Sequence, residues 1–163
     1  MGIIYRNYNV VKRESELVKI AKACKANRNQ LFVSNDIKLA IKVKAEGIYV
    51  PSFNKTKSFA NLEKRNIKII GSAHNQKEIQ KKISQNCSAV FLSPIFYIEK
   101  SKKFLGFHKF NYLSCKNNTI ILALGGICEG NIHKLKLLNI KGFGGIRMFK
   151  KKTGLQKAGF YKE

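Results

Sequence analysis

Two glycine pairs are the residues best suited to chemistry in this chain. Residues 119–128 read TIILALGGIC, and KGFGGIRMF follows at 141–149. Each is a short apolar run that stops at glycines, with a helical stretch between the two. Without side chains, Gly125, Gly126, Gly144 and Gly145 let backbone N–H groups come close to an anion. Two such turns side by side at the carboxyl ends of parallel strands form a phosphate cup. The same glycines also suit tight turns or close packing. Elsewhere, polar residues recur where apolar runs end: Arg6 and Tyr8, Asn35 and Asp36, Ser52 and Asn54, Ser72 and His74, and Ser93. Asp36 suits an ordinary helix N-cap. His74 is expected to cap or pack, and His108 and His133 to lie on exposed helix faces.

Bringing those ends together requires alternating strands and helices. Strands are predicted at 2–8, 31–36, 47–52, 67–74, 89–96, 119–126 and 141–149, and helices at 13–27, 37–45, 58–66, 75–86, 106–116 and 130–139. The helix signals are apolar residues at helical spacing, such as Leu17, Ile20, Ala21 and Cys24, or Phe107, Phe110 and Leu113. Asn75 with Glu78 three residues later resembles a capping box. A basic loop follows residue 96. The basic segment 150–163 is expected to be irregular or weakly helical, which divides the chain into a domain at 1–149 and a tail. Seven strands separated by helices call for a parallel sheet with right-handed crossovers. Their continuous apolar character means a sheet covered on both faces or closed. The expected fold is α/β, a (β/α) TIM-barrel-like domain of seven parallel strands, with function on the loops after the strands.

Composition narrows the classes. A chain of 163 residues with 44% hydrophobic residues holds one domain with a real core. No apolar stretch is long enough to cross a bilayer. The start, MGIIYRNYN, lacks a signal-peptide layout, and Arg6 stands where a myristoylation signal needs Ser or Thr. Cys24, Cys87, Cys115 and Cys128 show neither C-x-x-C nor metal spacing, so a reduced, cytoplasmic protein is expected. The net charge of +23 invites a nucleic-acid reading. Its lysines, however, are spread over nearly every predicted helix, in keeping with a Lys-, Ile- and Asn-rich composition, and no DNA- or RNA-reading motif accompanies them. Nonspecific nucleic-acid binding and attraction of phosphorylated small molecules are the expected consequences.

The ordered set Arg6, Asn35-Asp36, Gly47-Ile48-Tyr49, Ile70-Gly71-Ser72-Ala73-His74, Ser93-Pro94-Ile95-Phe96, Ala123-Leu124-Gly125-Gly126-Ile127 and Gly142-Phe143-Gly144-Gly145-Ile146 resembles the thiamine phosphate synthase and thiazole tautomerase family. The similarity runs over nearly the whole chain except the tail. It implies a (β/α)8 barrel that joins hydroxymethylpyrimidine pyrophosphate to thiazole phosphate and releases pyrophosphate with the help of Mg²⁺. It also implies one more strand and helix ahead of GIIYRNY, so this chain would carry seven strands of eight. The two exposed edges would then need a seven-stranded closed form, a covering segment or a homodimer, unless the start lies further upstream.

Residue by residue, the resemblance implies that Asn35 and Asp36 bind pyrophosphate and Mg²⁺, with Asn54 where the family has a second Mg²⁺-binding Asp. Arg6 matches a pyrophosphate-binding Arg, although the flanking Gln and Lys of synthases correspond to Ile4 and Tyr8. Ser72 matches a pyrimidine-contacting Ser. The pyrophosphate-clamping Thr-x-Thr-Lys loop is replaced by IEKSKK, in which Lys100, Lys102 or Lys103 would act as point charges. Gly125, Gly126, Gly145 and Ile146 match the thiazole-phosphate cup, and Arg147 stands near a family Ser. The catalytic His of the tautomerase branch corresponds to Pro94. The expected partners are phosphorylated small molecules, at a site whose binding half is better kept than its catalytic half.

Overall fold

Short runs of β-branched, aromatic and small residues make the strands of the computed structural model, which describes residues 1–8, 12–56, 59, 62, 66–99, 101, 103–146, 148 and 159–162. Strands β1 (Gly2–Tyr5), β2 (Gln30–Ser34), β3 (Gly47–Val50), β4 (Lys68–Ala73), β5 (Ala89–Leu92), β6 (Ile120–Leu124) and β7 (Gly142–Gly145) pair in sequence order, every neighbour parallel. The seven parallel strands match the expectation, though each is shorter, because the residues at their ends already belong to the mouth loops. Between them lie helices α1 (Arg13–Ala26), α2 (Ile37–Lys42), α3 (Gln76–Ile83) and α4 (Gly106–Cys115).

Two helix starts are fixed by side chains. Asp36 caps α2 by accepting from Leu39 N at 2.9 Å, and Asn75 caps α3 by accepting from Glu78 N at 3.0 Å. Glu78 reaches back to the His74 backbone N–H at 2.8 Å and to the Asn75 amide at 3.1 Å. The capping box therefore spans one residue more than its usual frame. The stretch 130–139 is a correction: it forms a 3₁₀ helix over Ile132–Leu137 rather than an α-helix. That tighter helix rises about 2.0 Å per residue against about 1.5 Å, which lets a short connection reach the start of β7. Of the expected helix 58–66, only Phe59, Leu62 and Asn66 lie among the described residues. Phe59 and Leu62 are buried, and Leu62 N donates to the Phe59 carbonyl at 3.0 Å.

The core has two layers. Phe32, Tyr49, Ile70, Ala89, Phe91 and Leu122, with Ile4 and Leu124 at the margin, form a cluster of strand residues alone, which fills the barrel interior. The alternate strand residues, among them Val33, Ile48, Val50, Ile69, Val90 and Leu92, pack outward against Leu17, Cys24, Ile79, Phe110 and Leu113 of the helices. Each strand is thus apolar on both faces, as a covered barrel demands.

A seventh parallel strand and a first one, left unpaired, would expose two backbone edges. Strand β8 (Gly159–Lys162) fills that gap. It runs antiparallel to both neighbours, with Gly145 opposite Gly159 and Gly2 opposite Phe160, and closes the barrel. Of the three expected ways to protect the edges, the chain uses a covering segment. The segment expected to be irregular or weakly helical is a strand over these four residues, because two backbone edges offer it partners that its own sequence does not announce. Among the described residues, no helix is long and apolar enough to cross a membrane, and none of the four cysteines is disulfide-bonded.

Candidate functional site

The carboxyl ends of the strands carry the polar residues anticipated from sequence. Strand alternation sends Tyr49 of β3 and Ser72 of β4 into the barrel, where the Ser72 hydroxyl favours the ionised form of the Tyr49 hydroxyl. Arg6, just past β1, lies over the Tyr49 ring with its guanidinium carbon 5.4 Å from the ring centroid. Burial pushes the Tyr49 hydroxyl above its ordinary value, while the Arg6 charge opposes that shift. Arg6, Tyr49 and Ser72 therefore form one stack of cation, ring and hydroxyl, in which Arg6 is solvent-exposed and Ser72 buried.

Beside it, the loops after β1, β2 and β3 are tied together. Arg13, the first residue of α1, donates from one guanidinium nitrogen to Asp36 Oδ2 at 3.1 Å and from the other to the Ser34 carbonyl at 2.9 Å. Its guanidinium also lies 5.7 Å from the Tyr5 ring centroid and 5.5 Å from that of Tyr8, a cation–π geometry. The Tyr8 hydroxyl meets the buried hydroxyl of Ser34. Asn35 takes a left-handed backbone conformation at φ 60°, which Asn tolerates better than most residues. Its side-chain oxygen accepts from the amide of Asn54. The Asn54 oxygen in turn accepts from the Thr56 backbone N–H at 2.9 Å and hydroxyl at 3.0 Å.

The loop carrying Ser52 and Asn54 is held from behind by two buried residues of the α3 region. Lys82, with no exposed surface, donates to the Pro51 carbonyl at 2.7 Å, the Asn54 carbonyl at 2.9 Å and Gln85 Oε1 at 2.9 Å. All three ammonium protons are used. Gln85, equally buried, donates to the Asn54 and Thr56 carbonyls at 3.1 and 2.6 Å. The Lys82 stem lies over Gly71 of β4, where a Cβ would come within 2.8 Å of its Cδ. Burial lowers the Lys82 ammonium from its ordinary value and raises the neighbouring Cys87 thiol to about 12.

His74 does more than cap or pack. Its Nδ1 lies 2.8 Å from the Ser93 carbonyl and 3.3 Å from the Ser93 hydroxyl, and its Nε2 lies 3.2 Å from the Ser52 hydroxyl. The ring thereby links the loops after β3, β4 and β5. His108 and His133 are exposed, as expected.

The glycine turns take their shape from backbone demands. Gly125 and Gly126 have φ of +93° and +74°, and both meet the loop after β5. A Cβ would come within 2.8 Å of Pro94 at Gly125 and within 2.7 Å of the Tyr97 carbonyl at Gly126. Phe96 N donates to the Gly125 carbonyl at 3.1 Å, and the Asn131 amide to that of Gly126 at 2.8 Å. Close packing and a turn thus account for this pair, and the turn lies at the end of β6 beside the end of β7. Gly144 faces Phe91 in the interior, Gly145 ends β7, and Ile146 is exposed just beyond.

A family model described as thiamine monophosphate synthase matches residues 3–149. The chain belongs to that family. A thiamine-phosphate synthase of Prochlorococcus marinus is 34% identical over 131 residues, covering 78% of this chain and 38% of that protein. One from Pediococcus pentosaceus is 27% identical over 161 residues, covering 92% of this chain and 74% of the other. This chain thus spans well under half the length of the Prochlorococcus relative. Among solved structures, a thiamine phosphate pyrophosphorylase from Pyrococcus furiosus superposes with a TM-score of 0.73 at 16% identity, covering 89% of this chain and 71% of that one. At that identity the likeness is one of fold.

With the family in view, the expected positions fall into groups. Asn35, Asp36 and Asn54 come together, as do Arg6 and Ser72, while Gly125, Gly126, Gly145 and Ile146 occupy adjacent strand ends. Lys102 and Arg147, with Lys100, lie outside the described residues, and Lys103 is exposed. The Mg²⁺ expectation can be tested against the donors present. The four side-chain oxygens at issue are the two of Asp36 and one each of Asn35 and Asn54, and each already accepts a hydrogen bond. Asp36 is the lone carboxylate of that set and is paired with a guanidinium. A small, hard cation demanding near-octahedral oxygen ligands does not fit this arrangement.

Three contributors escaped the sequence reading, Arg13, Lys82 and Gln85, and Tyr49 entered it only within the Gly47-Ile48-Tyr49 motif. A signal existed for Lys82, which sits three residues after Ile79 on the helix face that packs inward. None existed for Arg13, whose guanidinium donates to Ser34 and Asp36, more than twenty residues away.

Proposed function

We propose that this chain is a thiamine phosphate synthase-like transferase of thiamine biosynthesis, joining hydroxymethylpyrimidine pyrophosphate to thiazole phosphate with release of pyrophosphate. The carrying observation is the family match over residues 3–149, together with Arg6, Tyr49 and Ser72 stacked inside the mouth to which the glycine turns also belong. Departure of pyrophosphate builds negative charge on its oxygens, and positioned cations lower the barrier for such a step. Arg6 would supply one such charge, the Ser72 and Tyr49 hydroxyls would orient the pyrimidine, and the turns at Gly125-Gly126 and Gly145-Ile146 would hold the thiazole phosphate. Purified chain incubated with both substrates is expected to form thiamine phosphate. No product from a folded sample overturns the reading.

A second reading, a noncatalytic phosphate-ligand binder of the same fold, is favoured by one observation: Asp36 is already committed to a cap and an ion pair. It predicts thiazole phosphate binding without turnover. Calorimetry showing affinity for neither phosphate ligand removes it.

A further inference from the structure

The mismatch between the donor set and a divalent cation has a specific structural cause. At the rim between β1 and β2 a positive charge is already in place. Arg13 is held from several sides: Asp36 Oδ2 and the Ser34 carbonyl accept from its terminal nitrogens, and the rings of Tyr5 and Tyr8 flank it. Tyr5 is itself anchored, its hydroxyl donating to Glu16 Oε2 at 2.5 Å. Among the described residues, the buried Nε of Arg13 has no hydrogen-bond partner. The Arg13 side chain is 21% exposed and that of Asp36 31%, so both reach the mouth while their mutual charge is screened less than on an open surface. A second carboxylate, which would help recruit an ion, is replaced at this place by the neutral Asn54, itself engaged with Asn35 and Thr56.

We propose that the pyrophosphate half of this mouth holds its anion without a divalent ion, the guanidinium of Arg13 standing where a cation would sit against Asp36. The inference rests on the synthase-like reading of the site and sharpens its ligand chemistry: the free anion, rather than its magnesium complex, is the species bound. Arg13 neutralises Asp36, which would otherwise repel a polyanion, and leaves the exposed Arg6 to meet it. A guanidinium suits this place because it is always charged and holds two acceptors in one plane.

The experiment is calorimetric titration of the full chain with inorganic pyrophosphate at about 150 mM salt, once with chelator and once with Mg²⁺. Dissociation constants within about threefold of each other are expected in the two buffers. Arg13→Gln is expected to weaken binding about tenfold or more in chelator and to regain affinity in Mg²⁺, because Asp36 is then open to the ion. Such conversion to metal dependence is a signature that a merely structural ion pair would not give. Lys109→Gln, on the outer helix α4, controls for the overall positive field and is expected to leave both values unchanged. If Arg13→Gln does not fold, Arg13→Lys keeps the charge without the fork, and the wild-type comparison still decides. Mg²⁺ tightening wild-type binding about tenfold or more overturns the proposal, as does an unchanged Arg13→Gln or an absence of pyrophosphate binding in both buffers. A parallel titration with thiazole phosphate reads the glycine turns by themselves. Its success beside a Mg²⁺-dependent pyrophosphate site would sink the metal-free proposal alone, and its failure would count against the synthase reading.

Discussion

At the ends of β6 and β7 the backbone makes the site, whereas after β1, β2 and β3 side chains make it. The first region needs glycine: φ at Gly125 and Gly126 is positive and the loop after β5 presses against both. The second needs long-range partners. Arg13 meets Asp36 across 23 residues, and Lys82 meets the Pro51 carbonyl across 31. A backbone-built region tolerates little substitution at its glycines, and it meets the distant loop after β5 largely through backbone atoms. A side-chain-built region can exchange one charge for another, as the Arg13–Asp36 pair illustrates.

The sharpest way to break this contrast is Gly126→Val. A strained left-handed conformation costs about 1–3 kcal/mol, and the new side chain would also meet the Tyr97 carbonyl and Phe96. A total loss of about 3 kcal/mol or more is expected in denaturant unfolding, with loss of thiazole phosphate binding. Equal stability in the variant would mean that the turn is not fixed by its backbone.

Lys82→Ala tests the other region. It removes three hydrogen bonds, leaving the Asn54 carbonyl to Gln85 alone and the Pro51 carbonyl to the Asn54 backbone N–H. Stability should fall by about 2 kcal/mol, and proteolysis within 51–56 should rise more than elsewhere. Lys82→Met, which keeps the stem over Gly71 and removes the buried charge, should recover part of the stability but not the protection of the loop. If both variants keep the loop protected, Lys82 is not what holds it.

The smallest effect is one of pH. The buried Cys87 thiol has its pKa raised from 9.0 to about 12. A raised folded-state value contributes stability that is complete below 9 and is lost as pH climbs from 9 towards 12, because the unfolded chain releases its proton first. Between pH 8 and pH 10 this amounts to roughly 1 kcal/mol. Lys82 next to it shifts downwards, so its contribution runs the other way over the approach to 10.5. Cys87→Ala should therefore flatten or reverse the alkaline fall seen by denaturant unfolding. An unaltered slope would place the titration elsewhere.

Much of this was legible in the residues. Apolar runs ended by Asn35-Asp36, Ser72 and Gly125-Gly126 announced both the barrel and its mouth, since strand period and turn chemistry are local properties. The caps at Asp36 and Asn75 were local as well. What stayed hidden was any feature whose cause lies across the fold. Strand β8 reads as an irregular basic tail because Phe160 and Tyr161, which favour strands, stand alone between glycine and lysine, and the segment becomes a strand only where two backbone edges await it. The 3₁₀ form of Ile132–Leu137 reflects the reach required to start β7, which no periodicity records.

The sequence by itself therefore determined the parallel α/β order, the two-faced burial of its strands and the glycine turns, because each follows from residue types within a few positions of one another. Only the tertiary structure decided that the barrel closes antiparallel through β8, that His74 joins three loops, and that Asp36 faces Arg13. Those outcomes depend on which groups are brought within hydrogen-bond distance by folding, and at about 3 Å a single partner settles whether a carboxylate is left open to an ion or already satisfied.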